Sequence, residues 1–494
     1  MPDVNLPIFV FLAAAAASPA TPGTRDAVSS PHATMRELGL EFRAPIPRDE
    51  EHEQRRSFTP RIAAIVAPAA VQAESTVTTP TIAAPRVSAG FAASHETGQY
   101  PSDAAGAVSS KYLLHVSNAS VVAQDRAGAV LSNIGLTSFW HDPAYTDGRV
   151  FDSRVLYDGV ADRWILCTLY DLDSHKSTLL IAISDGGNPS LGWHRYRYTV
   201  DPADVGDADF TRMSQTRDSI AIMATIFRPL TDSSDVFTIR KSDAYSVPAM
   251  LPISQVHTDP FDLVPVDGPE DAHLYAIERI ASANFRLYSY DRGTLISLAD
   301  AFAPANVTDD MNNPIALQRG STVKLDCDYI FIYNAVVKNG IVWVATQVYR
   351  ASPLRSSILW WRIVLNDPRT NQPRVDAGLI DDPTGATMYA FPSIAVNKFG
   401  AALIGYSVFN ASIYPSAGYS YIDPLNDLST PALLKAGDGP SRTSRWADYS
   451  TTVVDANDID FWTSQTYAPV GFAWATWWTK VDMPALPRGR AVRH

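Results

Sequence analysis

From about residue 95 the chain alternates short apolar runs with short polar turns, and one unit returns seven times. In each unit a polar or acidic lead-in precedes an apolar run, a tight turn and a second apolar run. The paired runs are Pro101–Val108 with Lys111–Val116, Phe151–Asp158 with Arg163–Leu169, and Asp207–Phe210 with Ser219–Ala224. They continue as Asp262–Val266 with His273–Ile277, Asp326–Ile332 with Gly340–Ala345, Tyr389–Val396 with Gly400–Gly405, and Trp446–Val454 with Asp460–Ser464. Runs this short, rich in β-branched and aromatic residues and bounded by turn formers, predict strands. Taking Tyr112, Trp164, Ile220, Leu274, Val342, Ala402 and Phe461 as equivalent, the steps are 52, 56, 54, 68, 60 and 59 residues. A period of about 50–60 residues with strand chemistry predicts propeller blades, each a four-stranded antiparallel sheet. Further strands are predicted at Ser177–Ile183, Trp193–Tyr198 and Ser356–Val364. Helical spacing is nearly absent, which excludes α/β folds. The expected fold is all-β: one seven-bladed propeller over residues 86–485, followed by a tail at 486–494. Closure of the ring is left open between a C-terminal strand, Ala473–Val481, and an N-terminal one around Val87–Phe91.

Residues 1–85 break the pattern. They hold 11 of the 35 prolines but 4 of the 51 Phe, Trp and Tyr residues. Such a segment buries too little apolar surface to offset its chain entropy. Residues 21–85 are therefore expected to be a disordered Ala/Pro-rich segment. Residues 1–20 have the apolar length and small-residue end of a signal peptide, although Asp3 stands where a basic n-region is usual. The alternative is an Ala-rich N-terminus without a targeting role. No other run approaches the roughly 20 apolar residues of a membrane-spanning helix.

Composition changes the picture in two places. The length of 494 residues by itself allows about three domains, and the repeat reduces these to one. The net charge of −12 argues against nucleic acid as a partner. Two cysteines, Cys167 and Cys327, exclude a disulfide scaffold, and both read as buried small hydrophobes. The ten histidines form no HExxH and no clustered pair, so no zinc site is predicted. No GxSxG, GxGxxG or P-loop string is present.

Several strings resemble a known family. Phe151-Asp-Ser-Arg-Val-Leu-Tyr-Asp-Gly-Val-Ala-Asp-Arg-Trp164 resembles an FDxRVxYDxxxDRW signature, and Arg445-Trp-Ala-Asp-Tyr-Ser450 with Phe461-Trp462 resembles RWxDYS…FW. Pro101–Val108 and Tyr414-Pro-Ser-Ala-Gly418 resemble two further family strings. The family is one of secreted bacterial seven-bladed β-propeller proteins, largely uncharacterised. The resemblance spans roughly residues 86–483 and implies a sialidase-like shape and an exported, periplasmic or cell-surface location, with no reaction. Asp207-Ala-Asp-Phe210 departs from the family's usual Trp-Ala-Asp-Tyr-Pro-like string.

In a propeller the first strand of each blade lines the central channel, so the lead-ins converge. They carry Asp103, Asp152, Arg154, Asp209, Asp262, Asp326, Arg445 and Asp448. Converging carboxylates repel unless they are paired, solvated or bridged by a hard cation such as Ca²⁺. Three readings stand: aspartates that pin the blades through backbone N–H groups, a channel Ca²⁺, and a polar ligand site. Arg154 and Arg445 suit either a substrate carboxylate or a neighbouring blade's Asp. Asn118, Asn306 and Asn410 match the glycosylation sequon, and Trp360, Trp361, Trp477 and Trp478 read as core or as sugar platforms. Ser184-Asp-Gly-Gly187 with Trp193 weakly resembles the Asp-box turn of sialidase blades, a structural element. The expectation is a monomeric binding or scaffold protein taking a carbohydrate or protein ligand at the channel mouth. The alternative is a carbohydrate-active enzyme, a sialidase-like glycoside hydrolase, which needs two carboxyls about 5–10 Å apart.

Overall fold

The computed structural model describes residues 23–40, 74–75, 80–141, 148–172, 175–201, 206–228, 232–281, 284–301, 307–308, 315–327 and 332–484. The expected signal peptide at 1–20 and the tail from 486 lie outside these residues. Strands dominate; the described helices are short, at Met35–Leu40, Leu136–Phe139 and Lys241–Tyr245.

The strands form antiparallel meanders in chain order. Meander A comprises Ala105–Val108, Tyr112–Val116, Ser120–Asp125 and Val130–Gly135. Meander B comprises Arg149–Asp158, Arg163–Leu172, His175–Ser184 and Gly192–Thr199. Meander C comprises Asp207–Gln215, Ser219–Phe227, Ser233–Arg240 and Met250–Thr258. Meander D comprises Val264–Asp267, Leu274–Ala281, Asn284–Asp291 and Thr294–Ala301. Meander E comprises Ile332–Lys338, Ile341–Ala351, Leu354–Asp367 and Gln372–Ile380. Meander F comprises Thr387–Val396, Ala402–Asn410, Ser416–Ile422 and Ala432–Lys435. Meander G comprises Thr451–Val454, Phe461–Tyr467, Ala475–Val481 and, from the other end of the chain, Val87–His95. First strands touch in sequence from A to G, and the first strand of G returns to that of A. This is a β-propeller arrangement.

Burial explains why the inner strands read as continuous apolar runs rather than alternating ones. Each is covered on both faces by neighbouring meanders. Ile165, Cys167 and Leu169 of B pack with Ile220, Ile222 and Ala224 of C. The alternate residues Trp164 and Leu166 pack with Leu114 and Val116 of A. The two-residue period of a strand thus sends one set to each side. Every residue of Phe461–Tyr467 is buried, whereas the outermost strands Val130–Gly135 and Val87–His95 are largely accessible. Trp360, Trp361 and Trp478 are core residues, and Trp477 is half-buried. Cys167 and Cys327 are buried free thiols, with burial pushing Cys167 up to about 12.

Both terminal segments named from the sequence enter meander G. Ala475–Val481 is its third strand and Val87–His95 pairs antiparallel outside it, with Phe91 opposite Trp478. Gly90 permits this approach, since a Cβ there would stand 2.6 Å from Trp477 Nε1.

In meander E, Asp326 and Cys327 lie outside the ladder, in a loop where Ala316 bridges Leu325. One expectation is corrected: the segment expected to be disordered is ordered in part. Gly23–Thr34 forms a strand between the outermost strands of B and C, joining both into one sheet. Ala27 and Met35 are buried, and Thr34 and Glu37 exchange hydrogen bonds in a capping box. This segment lacks apolar residues for a core of its own. It obtains its order from two sheet edges, whose free N–H and C=O groups accept another strand.

Candidate functional site

The lead-ins share a backbone device. Asp103, Asp152, Phe210, Asp262 and Phe391 have φ between 44° and 56°, the left-handed region. In B, C and F the ladder register shifts at this point, between Phe151 and Arg154, Asp209 and Arg212, and Ala390 and Ser393. A bulge here bends the first strand and re-aims its side chains.

The re-aimed groups meet. Asp103 Oδ1 accepts the backbone N–H of Asp448 at 2.9 Å, and its Oδ2 accepts Asn118 Nδ2 at 2.7 Å. Asn118 Oδ1 in turn accepts the N–H of Asp152 at 3.2 Å. Asp152 Oδ2 accepts the Tyr449 hydroxyl at 2.9 Å, and Thr211 donates to the Asp152 carbonyl. The Arg154 guanidinium lies 3.2 Å from the centroid of the Tyr449 ring, a stacked cation–π contact. Arg212 forms an ion pair with Asp262 at 2.6 Å and donates to the Phe210 carbonyl at 2.6 Å. Arg445 pairs with Asp448 at 2.7 Å. Tyr333 meets the Tyr449 ring edge-on at 6.4 Å. One connected network therefore joins the lead-ins of A, B and G, with Arg212 and Asp262 joining C to D.

Within it, charges are dry and balanced by neighbours. Asp103, Asp152, Asp262, Asp448 and Arg212 are at most 2% exposed. Burial opposes the charge on Arg212, and Asp262 together with Tyr449, Asp152 and Tyr333 outweighs it, so its pKa rises. Burial, and then the Asp152 charge, hold the Tyr449 hydroxyl well above its ordinary pKa, so it stays a proton donor. A charge in so dry a site is tolerated only when paired and hydrogen-bonded.

Of the remaining candidates, Asp209 is half-buried and its Oδ1 accepts the N–H of Phe210 at 2.8 Å. Asp326 is half-buried, and its backbone N–H donates to the Ser444 carbonyl at 2.9 Å, tying its loop to the lead-in of G. Thr211, Tyr333 and three residues central to the network were not named from the sequence as site residues. Tyr449 lay inside the RWADYS string. Asn118 was read only as a sequon, although it is buried between two lead-ins. Arg212 had no motif; its signal was a charge inside an otherwise strand-like run.

A second cluster lies elsewhere, and it joins two histidines that are distant in the sequence. His32 Nε2 stands 3.0 Å from each Asp185 carboxylate oxygen, and His194 Nε2 stands 3.0 Å from Asp185 Oδ1. His32 comes from the added strand and is 153 positions from Asp185, so local spacing carried no trace of it.

No protein-family model matches the chain, and no curated protein matches it. Solved structures do. The chain is similar to the WD40 repeats of RRP9 at 10% identity, covering 81% of this chain and 100% of that one, with TM-score 0.43. It is similar to an α-L-arabinofuranosidase from Fusarium graminearum at 7% identity, covering 80% and 98%, with TM-score 0.37. It is also similar to a neuraminidase-like protein of A/little yellow-shouldered bat/Guatemala at 9% identity, covering 70% and 97%, with TM-score 0.36. At these scores none of them carries an argument about this chain.

Proposed function

We propose that residues 86–485 are one seven-bladed propeller of four-stranded blades, belonging with the secreted bacterial propellers it resembles. In this reading it is exported and acts as a monomeric binding or scaffold protein. The observation that carries the reading is the fate of the lead-in charges. Asp103, Asp152 and Asp262 accept from the Asp448 N–H, Asn118, Tyr449 and Arg212, and Asp448 accepts from Arg445 of its own lead-in, which leaves the first three as ties between blades and the fourth as a local pair rather than as reagents. The same donors engage both oxygens of Asp103 and one each of Asp152 and Asp448, oxygens that a Ca²⁺ ion with its six to eight ligands would otherwise take. Asp209, Asp326 and Arg445 keep solvent access at the lead-in face and are the groups placed to meet a carbohydrate or protein ligand at the channel mouth.

One observation favours the enzyme reading. Asp152 touches the Tyr449 hydroxyl, and its other oxygen, Oδ1, is buried without a hydrogen-bond partner. A tyrosine nucleophile needs its proton removed. Burial raises the pKa of Tyr449, which opposes that role.

The test is a panel of chromogenic glycosides together with a glycan array on the purified chain. Turnover absent across the panel, with or without array binding, is the expected result. Turnover that disappears in Asp152→Asn and Asp448→Asn would establish the glycoside hydrolase instead. Cell fractionation with N-terminal sequencing checks export, expected as a mature end near residue 20.

A further inference from the structure

We propose that His32, Asp185 and His194 bind a divalent transition-metal ion of the zinc class, and that the ion clips the added strand Gly23–Thr34 onto meander B. Two imidazoles and a carboxylate are a donor set suited to Zn²⁺. All three ligand atoms lie within 4.8 Å of one another, and both carboxylate–imidazole separations are 3.0 Å. Around a tetrahedral Zn²⁺ with ligands at about 2.0–2.2 Å, donor atoms stand about 3.3–3.5 Å apart. The carboxylate–imidazole pairs therefore need adjustments of a few tenths of an ångström, and the two imidazole nitrogens, within 4.8 Å of each other, close by up to about 1.5 Å through side-chain rotation, with the fourth position open to water.

The backbone is shaped for this meeting. The pairing of the added strand with Gly192–Thr199 shifts register between Ser30 and Ala33, and Ala33 resumes opposite Trp193. That irregularity sets His32 beside His194. Gly192 then leaves the space: a Cβ there would stand 2.1 Å from Asp185 Oδ2 and 2.5 Å from His32 Nε2. The turn itself does not need the Asp185 side chain. Ser184 Oγ donates to the Gly186 carbonyl, and the indoles of Trp164 and Trp193 donate to the carbonyls of Gly187 and Pro189. Asp185 is free of that duty and faces the two rings.

The full chain, stripped with a chelator, is titrated with Zn²⁺ by calorimetry. One ion per chain is expected, and His32→Ala and His194→Ala each weaken it by more than the roughly 10–100-fold typical of losing an outer-sphere partner. Zn²⁺ is also expected to slow tryptic cleavage at Arg25 and Arg36 in the parent and not in His194→Ala. Circular dichroism without metal reports whether each variant folds, and Asp185→Asn supplies the same reading if an alanine variant does not. Absence of saturable binding overturns the proposal. So does binding of equal strength in the parent and the variants, which would place the ion elsewhere.

Discussion

Asp262→Asn tests whether the lead-in network is a structural tie. The substitution keeps the size of the side chain and suits the left-handed backbone at this position, φ 56°. It removes only the charge facing Arg212, whose side chain is 3% exposed against 1% for Asp262. Removing one partner of a buried pair costs about 3–5 kcal/mol, because the other charge is stranded. The expected loss lies toward the lower end of that range, about 3 kcal/mol, because the Phe210 carbonyl still accepts from Arg212 and Asp152 still acts on it. Arg212→Met with Asp262→Asn removes both charges, and the double variant is expected to be more stable than the sum of the single losses by about 1–3 kcal/mol. Urea unfolding of the four proteins, followed by intrinsic tryptophan fluorescence, measures the cycle. A loss below about 1 kcal/mol in Asp262→Asn, typical of exposed pairs, or additivity in the double variant, refutes the reasoning.

Asn118→Ala is expected to destabilise by about 2–4 kcal/mol, since it removes the amide donor from Asp103 Oδ2 and the acceptor from the Asp152 N–H together; urea unfolding measures it. Glu278 gives a pH signature. Burial raises its pKa from 4.5 to about 6, so between those values the folded state binds more proton than the unfolded one. Its contribution to stability therefore falls as pH rises through that window, by about 1–2 kcal/mol, and Glu278→Gln is expected to flatten that part of the profile. Buried His115 works oppositely: burial lowers its pKa from 6.5 to about 3, so stability is lost as pH falls below about 6.5. His115→Gln, compared with the parent from pH 7 to 4, is expected to remove that slope. Deleting residues 1–34 uncovers the outermost strands of B and C, and concentration-dependent self-association in size-exclusion chromatography is expected.

Much of this protein was legible in the chain, for a local reason. Strand character depends on side chains a few positions apart, so runs such as Ser219–Ala224 and Gly400–Gly405 announced themselves, and their period announced a repeat. The lead-in residues were legible as positions because each directly precedes its run. Their partners were not. Asp152 and Tyr449 are 297 positions apart, and Asp103 and Asp448 are 345 apart. Only the return of meander G to A brings them together. The added strand was hidden for a related reason. Its order comes from hydrogen bonds offered by other strands, and composition reports only what a segment can bury by itself. The sequence alone thus determined the elements and their repeat, which short-range patterning encodes. The tertiary structure decided which charges meet, which are spent on one another, and where two histidines find a carboxylate, because those depend on how the ring closes.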